Sequence, residues 1–432
     1  MGFRPVWPFD DTGNMAVTHL AVQSICILSW LLALGWLWQA IAALRGMPTL
    51  TDLARIDSTS LPPLPANDDA HLTVIVPACN EERSIQATLR SLLTSTGLHL
   101  EIIAVNDRST DRTGQLMDEI ASDTTAEGRH RLHVIHLREL PAGWLGKPHA
   151  MAVAARRATS PWLLFTDGDI VFHPRALELG LRYALARNAD HLVMAPTLIL
   201  KTVGEAAVLA AADGLAEWVI RLWKVSDPHA RDFVGVGSFN LVRREIYERV
   251  GGFEVLRMEV VDDLRFGWLI KRAGYLQCVA TGPGLVRVRW LHGALSIFHL
   301  VEKNAFAVYR FRLGLSLLVC LGLVVQVILP LAAIATGGWA AVAGLLIFAS
   351  IALSYHANRR VTGVSPWVAA FFTLAVAIVL VALMRSIVLA LVRRGVVWRG
   401  TFYPLAELRR HAGIGWTVRT TSKDGPPGRV NS

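Results

Sequence analysis

The feature that most constrains this chain is a long run near its N-terminus without acidic or basic side chains. From His19 to Leu44 there is no Asp, Glu, Lys or Arg, and at about 1.5 Å rise per residue such a helix can cross a hydrocarbon layer of about 30 Å. Three tryptophans lie within the run and Arg45 closes it, whereas a signal peptide is shorter and ends in small residues. The run therefore predicts a retained transmembrane helix.

A second apolar region, residues 313–392, predicts further membrane segments. It is broken by Gly337-Gly338 and by the polar stretch His356–Gly363. Three segments have a suitable length: Leu313–Ile334, Trp339–Tyr355 and Pro366–Met384.

The distribution of charge excludes nucleic acid as the main partner. The chain has 43 Lys+Arg against 34 Asp+Glu, a net charge of +9, yet it is 53% hydrophobic with a mean hydropathy of +0.41. Eight basic and two acidic residues follow Val392, so +6 of this charge lies in the tail. Such a composition excludes a disordered or collagen-like chain and favours membrane lipids as partners.

Between the apolar regions, short β-type runs alternate with segments of helical spacing. The predicted strands are Thr73–Val76, Glu101–Val105, Leu132–His136, Trp162–Thr166 and His191–Ala195. The predicted helices are Glu82–Thr94, Thr110–Ser122, His149–Ala158 and Pro174–Arg187. This alternation predicts an α/β domain with right-handed crossovers, a mainly parallel sheet and a ligand site at the carboxyl ends of the strands.

The changes in composition also predict the domain boundaries. We expect an N-terminal tail and transmembrane helix at 1–45, a Pro-rich linker at 46–70, the α/β domain at 71–296, an interfacial helix at 297–312, three apolar membrane segments at 313–392 and a basic tail at 393–432. The interfacial helix is predicted because phenylalanines alternate with basic residues there. A helix buried in the preceding domain is the alternative.

The strongest local signal for chemistry is Asp167-Gly168-Asp169, directly after the apolar run Trp162–Phe165. Two carboxylates at a strand end can hold a hard divalent cation, which can neutralise a diphosphate. A D-x-D pattern alone is more often a turn or a cap, so the position after an apolar strand carries the prediction. Asp167 and Asp169 are the candidate metal ligands.

Two other strand ends carry polar groups. The first strand runs into Pro77-Ala78-Cys79-Asn80-Glu81, and the second into Asn106-Asp107. Asp107 can accept a hydrogen bond from a base or a ribose, and the helix N-terminus that follows favours an anion. Helix capping by Ser109 or Asp111 is compatible with this role.

Two further segments contribute charges of opposite sign. Lys147 lies between glycines and prolines, where it either contacts a phosphate or is a solvated turn lysine. Asp262 and Asp263 begin a helical run, where acids complement the helix dipole. The alternative is that Asp263 is a general base that takes a proton from an acceptor hydroxyl.

In this order, the motifs resemble the family 2 glycosyltransferases, which have a GT-A fold. The matching segments lie between about His71 and Tyr275, and their joint specificity is high. They are Thr73–Glu81, Val105–Asp111, Gly146-Lys147, Asp167–Asp169, Gly237–Asn240 with Arg243-Arg244 and Gly251–Phe253, and Asp262–Leu264. The segment Leu140–Ala150 resembles a membrane-bound subgroup associated with hopanoids and carotenoids, and ceramide glucosyltransferases more distantly.

The resemblance implies a Rossmann-like GT-A domain and a donor site. The implied donor is a UDP- or GDP-linked sugar, with Mg²⁺ or Mn²⁺ on Asp167 and Asp169. The residues implied to bind the donor are Pro77, Asn80, Glu81, Asp107, Lys147 and Asp167. The catalytic pair, usually Glu-Asp in the family, is Asp262-Asp263 here, with Asp263 as the base of an inverting displacement.

The function that follows is transfer of one sugar to a lipid hydroxyl. A processive polysaccharide synthase is one alternative, but its Q-x-x-R-W motif is incomplete, since Arg289-Trp290 is present and Val286 replaces Gln. An inactive scaffold or transporter component is the alternative of another class. Against it, the apolar segments contain no acid and only Arg385 at an edge, whereas transporters need ionisable groups at mid-membrane.

We expect an integral protein of the bacterial inner membrane whose catalytic domain faces the cytosol, where nucleotide sugars are made. Three spans after this domain would place the basic tail outside, contrary to the positive-inside rule. Either Pro366–Arg393 does not cross fully or the rule fails here. We favour a cytosolic tail.

Overall fold

The computed structural model describes residues 11–65, 71–123 and 130–412. The strands are β1 Thr51–Asp52, β2 Leu72–Ala78, β3 Leu100–Asp107, β4 His130–Leu137, β5 Trp162–Phe165, β6 Val171–Phe172, β7 His191–Met194, β8 Thr197–Leu198, β9 Asn240–Arg243, β10 Gln277–Thr281, β11 Val286–Val288, β12 Gly395–Trp398 and β13 Thr401–Pro404.

The helices are more numerous and include four long apolar ones. They are α1 Asp11–Gly46, α2 Ile85–Leu93, α3 Thr113–Asp123, α4 Gly146–Arg157, α5 Ala176–Ala186, α6 Val203–Ala216, α7 Arg244–Arg249, α8 Asp262–Arg272, α9 Ile297–Leu300, α10 Asn304–Val308, α11 Leu313–Thr336, α12 Gly338–Thr362, α13 Phe372–Val392 and α14 Leu405–His411.

The α/β domain is built on an eight-stranded sheet in the order β1-β10-β7-β9-β5-β2-β3-β4. Neighbouring strands are parallel except that β9 is antiparallel to β5 and β7. Val74 packs in one apolar core with Leu89, whereas Ile75 packs in another with Met151. Because both faces are covered, β2 is buried along its whole length. The predicted α/β class with a mainly parallel sheet is confirmed.

The five predicted strands are present, but three other strands of the same sheet, β1, β9 and β10, were not predicted. A three-stranded sheet, β6-β11-β8, lies beside it. The missed strands have two, four and five residues and all three contain polar side chains, so they show no clear strand periodicity.

The described part of the predicted linker, residues 46–65, packs on the α/β domain. Strand β1 pairs with β10 at the sheet edge, and Leu53 and Leu61 are buried. Arg182 donates hydrogen bonds to the backbone oxygens of Ser58 and Leu61 at 2.6 and 2.7 Å. These contacts fix the end of α1 relative to the sheet.

Four segments are long and apolar enough to cross a membrane, as predicted: His19–Thr49, Leu313–Thr336, Gly338–Thr362 and Pro366–Val392. Helices α1 and α12 are joined to the catalytic domain through Glu217, which follows α6. One carboxylate oxygen of Glu217 accepts from Gln39 of α1 and from Ser354 of α12, both at 3.3 Å.

Helix α13 contacts α1 near its start and the segment before α11 near its end. The Phe372 ring packs edge-on against Trp36 of α1, and the Ser386 hydroxyl donates to the Glu302 backbone oxygen at 2.7 Å. Phe372 also shares one apolar core with Ala211 of α6. The helix therefore packs against α6 as well as against α1.

The opposite side of α13 is exposed and apolar. Leu374, Val381, Met384 and Val388 are each at least half exposed, and their spacing places them on one helical stripe. Ala375, by contrast, is buried in the same core as residues of α6. One side of α13 thus packs on protein while the other is suited to lipid.

The prediction of one continuous helix over 297–312 was wrong. Two short helices, α9 and α10, occupy this segment, and the backbone of Arg310 and Phe311 is left-handed, with φ of 57° and 55°. Phe306 is buried in the core shared with α13. Contact of this segment with the membrane interface stays a prediction.

The basic tail is folded as far as residue 412. Strands β12 and β13 form an antiparallel hairpin, followed by α14. Arg108 of the catalytic domain donates to the Thr401 hydroxyl at 3.3 Å, and Arg310 donates to the Ala412 backbone oxygen at 2.7 Å. The remaining basic residues of the predicted tail lie outside the described residues.

Candidate active site

The three predicted polar loops lie side by side at the carboxyl edge of the sheet. Strands β5, β2 and β3 are neighbours, and they end in the loops that hold Asp167, Asn80 and Asp107. Pro77 is still within β2 and pairs in register with Val105. The parallel arrangement thus brings residues from distant parts of the chain to one edge, as parallel topology requires.

The first loop is locked to the second by hydrogen bonds. Asn80 has a left-handed backbone, with φ of 57°, and its side-chain oxygen accepts from the Thr110 backbone N–H at 2.8 Å. The Glu81 backbone N–H donates to the Thr113 hydroxyl at 2.8 Å. Asn80 therefore shapes the loop, while the Glu81 carboxylate faces the site.

Asp107 forms a bidentate ion pair with its neighbour. Arg108 donates through Nε and Nη2 to the two carboxylate oxygens at 2.8 and 3.2 Å, and Asp107 is fully buried. Glycine is needed at the start of α4, because a Cβ on Gly146 would lie 2.3 Å from Asp107 Oδ2. This close approach places Lys147 beside the end of β3.

Lys147 joins two of the predicted acidic segments. Its Nζ lies 2.7 Å from Asp167 Oδ1 and 3.4 Å from Asp262 Oδ2. Burial opposes the charge of Lys147, but the carboxylates of Asp167, Asp262 and Asp263 outweigh it and raise the pKa of Lys147 above its ordinary value. Lys147 is buried, so the interpretation as a solvated turn lysine was wrong.

Asp169 lies among like charges. Burial, followed by the carboxylates of Asp167 and Glu81, raises the pKa of Asp169 to about 7. Crowded carboxylates of this kind favour a bound cation. In the described part of the chain no group of three or more His, Cys, Asp or Glu side chains is arranged to hold a metal. Mg²⁺ commonly uses one or two carboxylates together with substrate phosphates, so Asp167 and Asp169 fit such a shared site.

The structure distinguishes the two acids at the start of α8. Asp262 is buried beside Lys147, and burial raises the pKa of Asp262 to about 6 although Lys147 lowers it. Asp263 is only partly buried, and its Oδ1 accepts from the Leu264 backbone N–H at 2.7 Å. Asp262 is thus held inward, while Asp263 lies on the more open side.

Two glycines bring the acidic segments together. A Cβ on Gly237 would lie 2.3 Å from Asp167 Oδ2, and a Cβ on Gly235 would lie 1.8 Å from the Asp263 backbone oxygen. Farther along the same motif, Asn240 lies within the sheet and its Oδ1 is 2.8 Å from His191 Nε2. The glycines of this segment border the site, whereas Asn240 supports the sheet.

A cavity of about 280 Å³ lies between the catalytic domain and the ends of α1 and α12. Its lining is mostly apolar: Met47, Val193, Ala195, Pro196, Leu198, Asp213, Ala216, Glu217, Ile220, Leu222, Val234, Val236, Val279, Trp290, Asn358, Val361 and Thr362. Val234 and Val236 flank Gly235, which abuts Asp263. Burial and the neighbouring Glu217 raise the pKa of Asp213 to about 7. The cavity is thus mostly apolar, and two of its lining residues are the chain neighbours of the glycine that abuts the Asp263 backbone.

The side chains of Arg289 and Trp290 have different surroundings. Arg289 donates to Glu205 at 3.3 Å, and Glu205 completes a capping box at the start of α6. Trp290 lines the cavity. Arg289 therefore stabilises α6, and Trp290 is the member of this pair that a ligand in the cavity would meet.

The hairpin β12–β13 reaches the site from the tail, which the sequence analysis missed. Arg399 Nη2 lies 3.9 Å from Glu81 Oε1, and the Lys303 Nζ lies 4.1 Å from the centre of the Trp398 ring. The β-branched and aromatic residues of Val396–Tyr403 on both sides of Arg399-Gly400 are a hairpin signal, but they do not indicate what the hairpin contacts.

The sheet and its acidic loops have the arrangement that the motifs predicted for a GT-A glycosyltransferase domain. The sequence profile described as Glycosyl transferase family 2 matches residues 73–251. This match agrees with the family resemblance of the motifs within the same segment. Asp262 and Asp263 lie beyond the matched segment.

Known relatives agree with this assignment. The 4,4'-diaponeurosporenoate glycosyltransferase of Staphylococcus aureus (strain USA300) is 25% identical over 206 residues, covering 45% of this chain and 50% of the relative. The chain thus spans about half the length of the curated relatives that it matches. This similarity supports the predicted resemblance to carotenoid-associated glycosyltransferases.

Solved structures with a similar fold were also found. The mannosyltransferase PcManGT from Pyrobaculum calidifontis, in complex with GDP-Man and Mn²⁺, is 17% identical with a TM-score of 0.46, covering 86% of this chain and 99% of that chain. S. aureus TarS 1-349 in complex with UDP-GlcNAc is 15% identical with a TM-score of 0.36, covering 77% and 95%.

Proposed function

We propose that this chain is a membrane-anchored glycosyltransferase that moves one sugar from a nucleotide-diphosphate donor to the hydroxyl of a lipid. The observation that carries the proposal is the bridge from Asp167 through Lys147 to Asp262, with Asp169 and Asp263 beside it. It brings a candidate cation site, a phosphate-binding lysine and a candidate base together at the ligand-binding edge of the sheet.

The donor is a UDP- or GDP-linked sugar in this proposal. The loops with Pro77, Asn80, Glu81 and Asp107 hold the nucleotide, and Lys147 contacts the diphosphate. Asp167 and Asp169 hold Mg²⁺ or Mn²⁺, which neutralises charge on the leaving diphosphate when bound. The position of Lys147 supports this role, because its ammonium group lies at the junction of the acidic segments.

The reaction proposed is a single inverting displacement. The acceptor oxygen attacks the anomeric carbon as the bond to the diphosphate breaks, and the nucleoside diphosphate leaves. The hydroxyl proton passes to the Asp263 carboxylate, which acts as the general base. Asp262 positions the start of α8 through its ion pair with Lys147. Asp263, the more accessible of the two acids, then contacts the acceptor.

The acceptor proposed is a lipid of the hopanoid, carotenoid, polyisoprenoid or sphingolipid-like type. The apolar cavity supports this choice, because it lies next to the membrane helices and its wall at Val234 and Val236 adjoins Gly235 and Asp263. The name of the S. aureus relative, a diaponeurosporenoate glycosyltransferase, points to the same class of acceptor. A polysaccharide acceptor would not need an apolar cavity at this position.

The mass of the product tests the acceptor. We expect protein in vesicles of bacterial polar lipid to give a lipid product carrying one sugar, read by mass spectrometry after solvent extraction, because the cavity is apolar and the processive motif is incomplete. A ladder of oligosaccharides would instead support a polysaccharide synthase. A cavity variant, Val236→Trp, should lower lipid glycosylation, while Val255→Thr at an exposed position serves as the control.

We propose further that α1, α11 and α12 cross the inner membrane while α13 lies along its cytosolic face. Helix α13 shares an apolar core with α6, its Ser386 is bonded to the Glu302 backbone before α11, and its exposed stripe is apolar. The folded tail contacts the catalytic domain through Thr401. With this arrangement the catalytic domain, the Arg359-Arg360 end of α12 and the basic tail share the cytosolic side, as the positive-inside rule requires.

Thiol labelling tests this arrangement. Trp339→Cys at the start of α12 should react with an impermeant maleimide in intact spheroplasts, whereas Arg394→Cys after α13 should react only after permeabilisation. Both residues are exposed, and Cys26, which is not buried, should first be changed to Ser. Labelling of Arg394→Cys in intact spheroplasts would show that α13 crosses the membrane.

A further inference from the structure

The tip of the C-terminal hairpin projects a guanidinium group into the candidate donor site. Arg399 and Gly400 form the two-residue turn between β12 and β13, and both have a left-handed backbone, with φ of 49° and 76°. This turn type matches the twist of a hairpin. The hairpin is held in place because Arg108, the ion-pair partner of Asp107, also donates to the Thr401 hydroxyl at 3.3 Å.

The Arg399 side chain is mostly buried but incompletely hydrogen-bonded. It is 18% exposed, and its Nη2 lies 3.9 Å from Glu81 Oε1. Its Nη1 is buried without a hydrogen-bond partner among the described residues. A buried charged donor without an acceptor is costly and rare in folded proteins, so this nitrogen marks a place where a ligand acceptor is expected.

The surroundings indicate what kind of acceptor this is. Glu81 packs beside the D-x-D loop, since a Cβ on Gly168 would lie 3.6 Å from Glu81 Cγ. Lys147 lies on the Asp167 side of the same loop. A planar guanidinium group is well suited to bidentate binding of phosphate oxygens. An anionic group between Lys147 and Arg399 would therefore have cationic donors on both sides.

We propose that the hairpin β12–β13 is part of the donor site and that Arg399 binds the diphosphate of the nucleotide sugar. This inference rests on the proposed function and extends it, because it assigns a donor-binding residue outside the GT-A domain. The hairpin follows α13 directly in the chain.

Binding of UDP and GDP to the full-length protein tests the inference. The affinities are measured in detergent with Mn²⁺, for whichever of UDP and GDP the wild type binds more tightly. Arg399→Gln should weaken this affinity by about ten-fold or more, because a charge-assisted contact is lost. Uridine and guanosine, which lack phosphate, should bind both proteins alike. Arg394→Gln, an exposed arginine at the start of the same hairpin, should behave as the wild type.

A conservative variant separates binding from folding. Arg399→Lys keeps the charge and should recover part of the diphosphate affinity, and in transfer assays Arg399→Gln should raise KM for the donor more than it lowers kcat. Equal UDP and GDP affinity in Arg399→Gln and wild type would overturn the inference. If the wild type binds the nucleoside diphosphate but transfers no sugar, the proposed function fails while this inference stands. If the wild type does not bind UDP or GDP, both the proposed function and this inference are overturned.

Discussion

Replacement of Asp263 by Asn is expected to lower kcat for sugar transfer by about 10²–10⁴-fold, the usual contribution of a general base. The carboxamide keeps the size of the side chain but cannot take the acceptor proton. Donor binding should be unchanged, because Lys147 forms its closest ion pairs with Asp167 and Asp262. The measurements are initial rates of lipid labelling and UDP or GDP affinity, made on the same preparation.

The matched control for this prediction is Asp118→Asn. Asp118 is an exposed acid on α3 that pairs with His136 at 3.0 Å, away from the acidic segments, so its loss should leave the rate unchanged. Full activity in Asp263→Asn would refute the role of Asp263. A low rate accompanied by lost donor affinity would mean that Asp263 positions the donor instead.

Replacement of Asp169 by Asn should abolish transfer through a different defect. One of the two carboxylates proposed to hold the cation is removed, so we expect a fall in kcat/KM of about 10²-fold or more and a requirement for higher Mn²⁺, as for loss of a metal ligand. The fold should persist, because Asp169 lies among like charges that repel it. The melting temperature without metal should therefore be equal to or higher than that of the wild type.

A thermal-shift titration with Mn²⁺ and UDP or GDP provides the second readout. The wild type should be stabilised by the combination, since a ligand that binds only the folded state raises the melting temperature. Asp169→Asn should lose most of this shift. An unchanged shift together with normal transfer would show that Asp169 holds no cation in the reaction.

The parts of the site that could be predicted from the sequence are those set by local pattern. Asp107 and Asp167 each follow an apolar run that was predicted as a strand. Because the carboxyl ends of parallel strands lie at one edge of the sheet, the topology predicts that the two aspartates lie near each other. Lys147 was open to two interpretations because burial is not a local property. Its ion pairs with Asp167 and Asp262 depend on three elements that are distant in the chain.

The parts that were missed depend on long-range packing. Arg399 reaches Glu81 only because α13 lies along the domain and returns the chain to the site. Hydropathy does not reveal this path, since the segments Leu313–Thr336 and Pro366–Val392 are equally apolar although their surroundings differ. The predicted linker was likewise assigned from its prolines, while its packing depends on β10 and Arg182.

The most direct test of the central claim is a transfer assay with the stoichiometry of both products. Purified full-length protein in bacterial lipid vesicles is incubated with Mn²⁺ and a panel of labelled UDP- and GDP-sugars, and extracted lipid and free nucleoside diphosphate are both quantified. The account predicts that one donor gives labelled lipid and nucleoside diphosphate in equal amounts, and that Asp263→Asn forms both at least about 10²-fold more slowly. Nucleoside diphosphate release without labelled lipid, or no turnover with any donor, would contradict it.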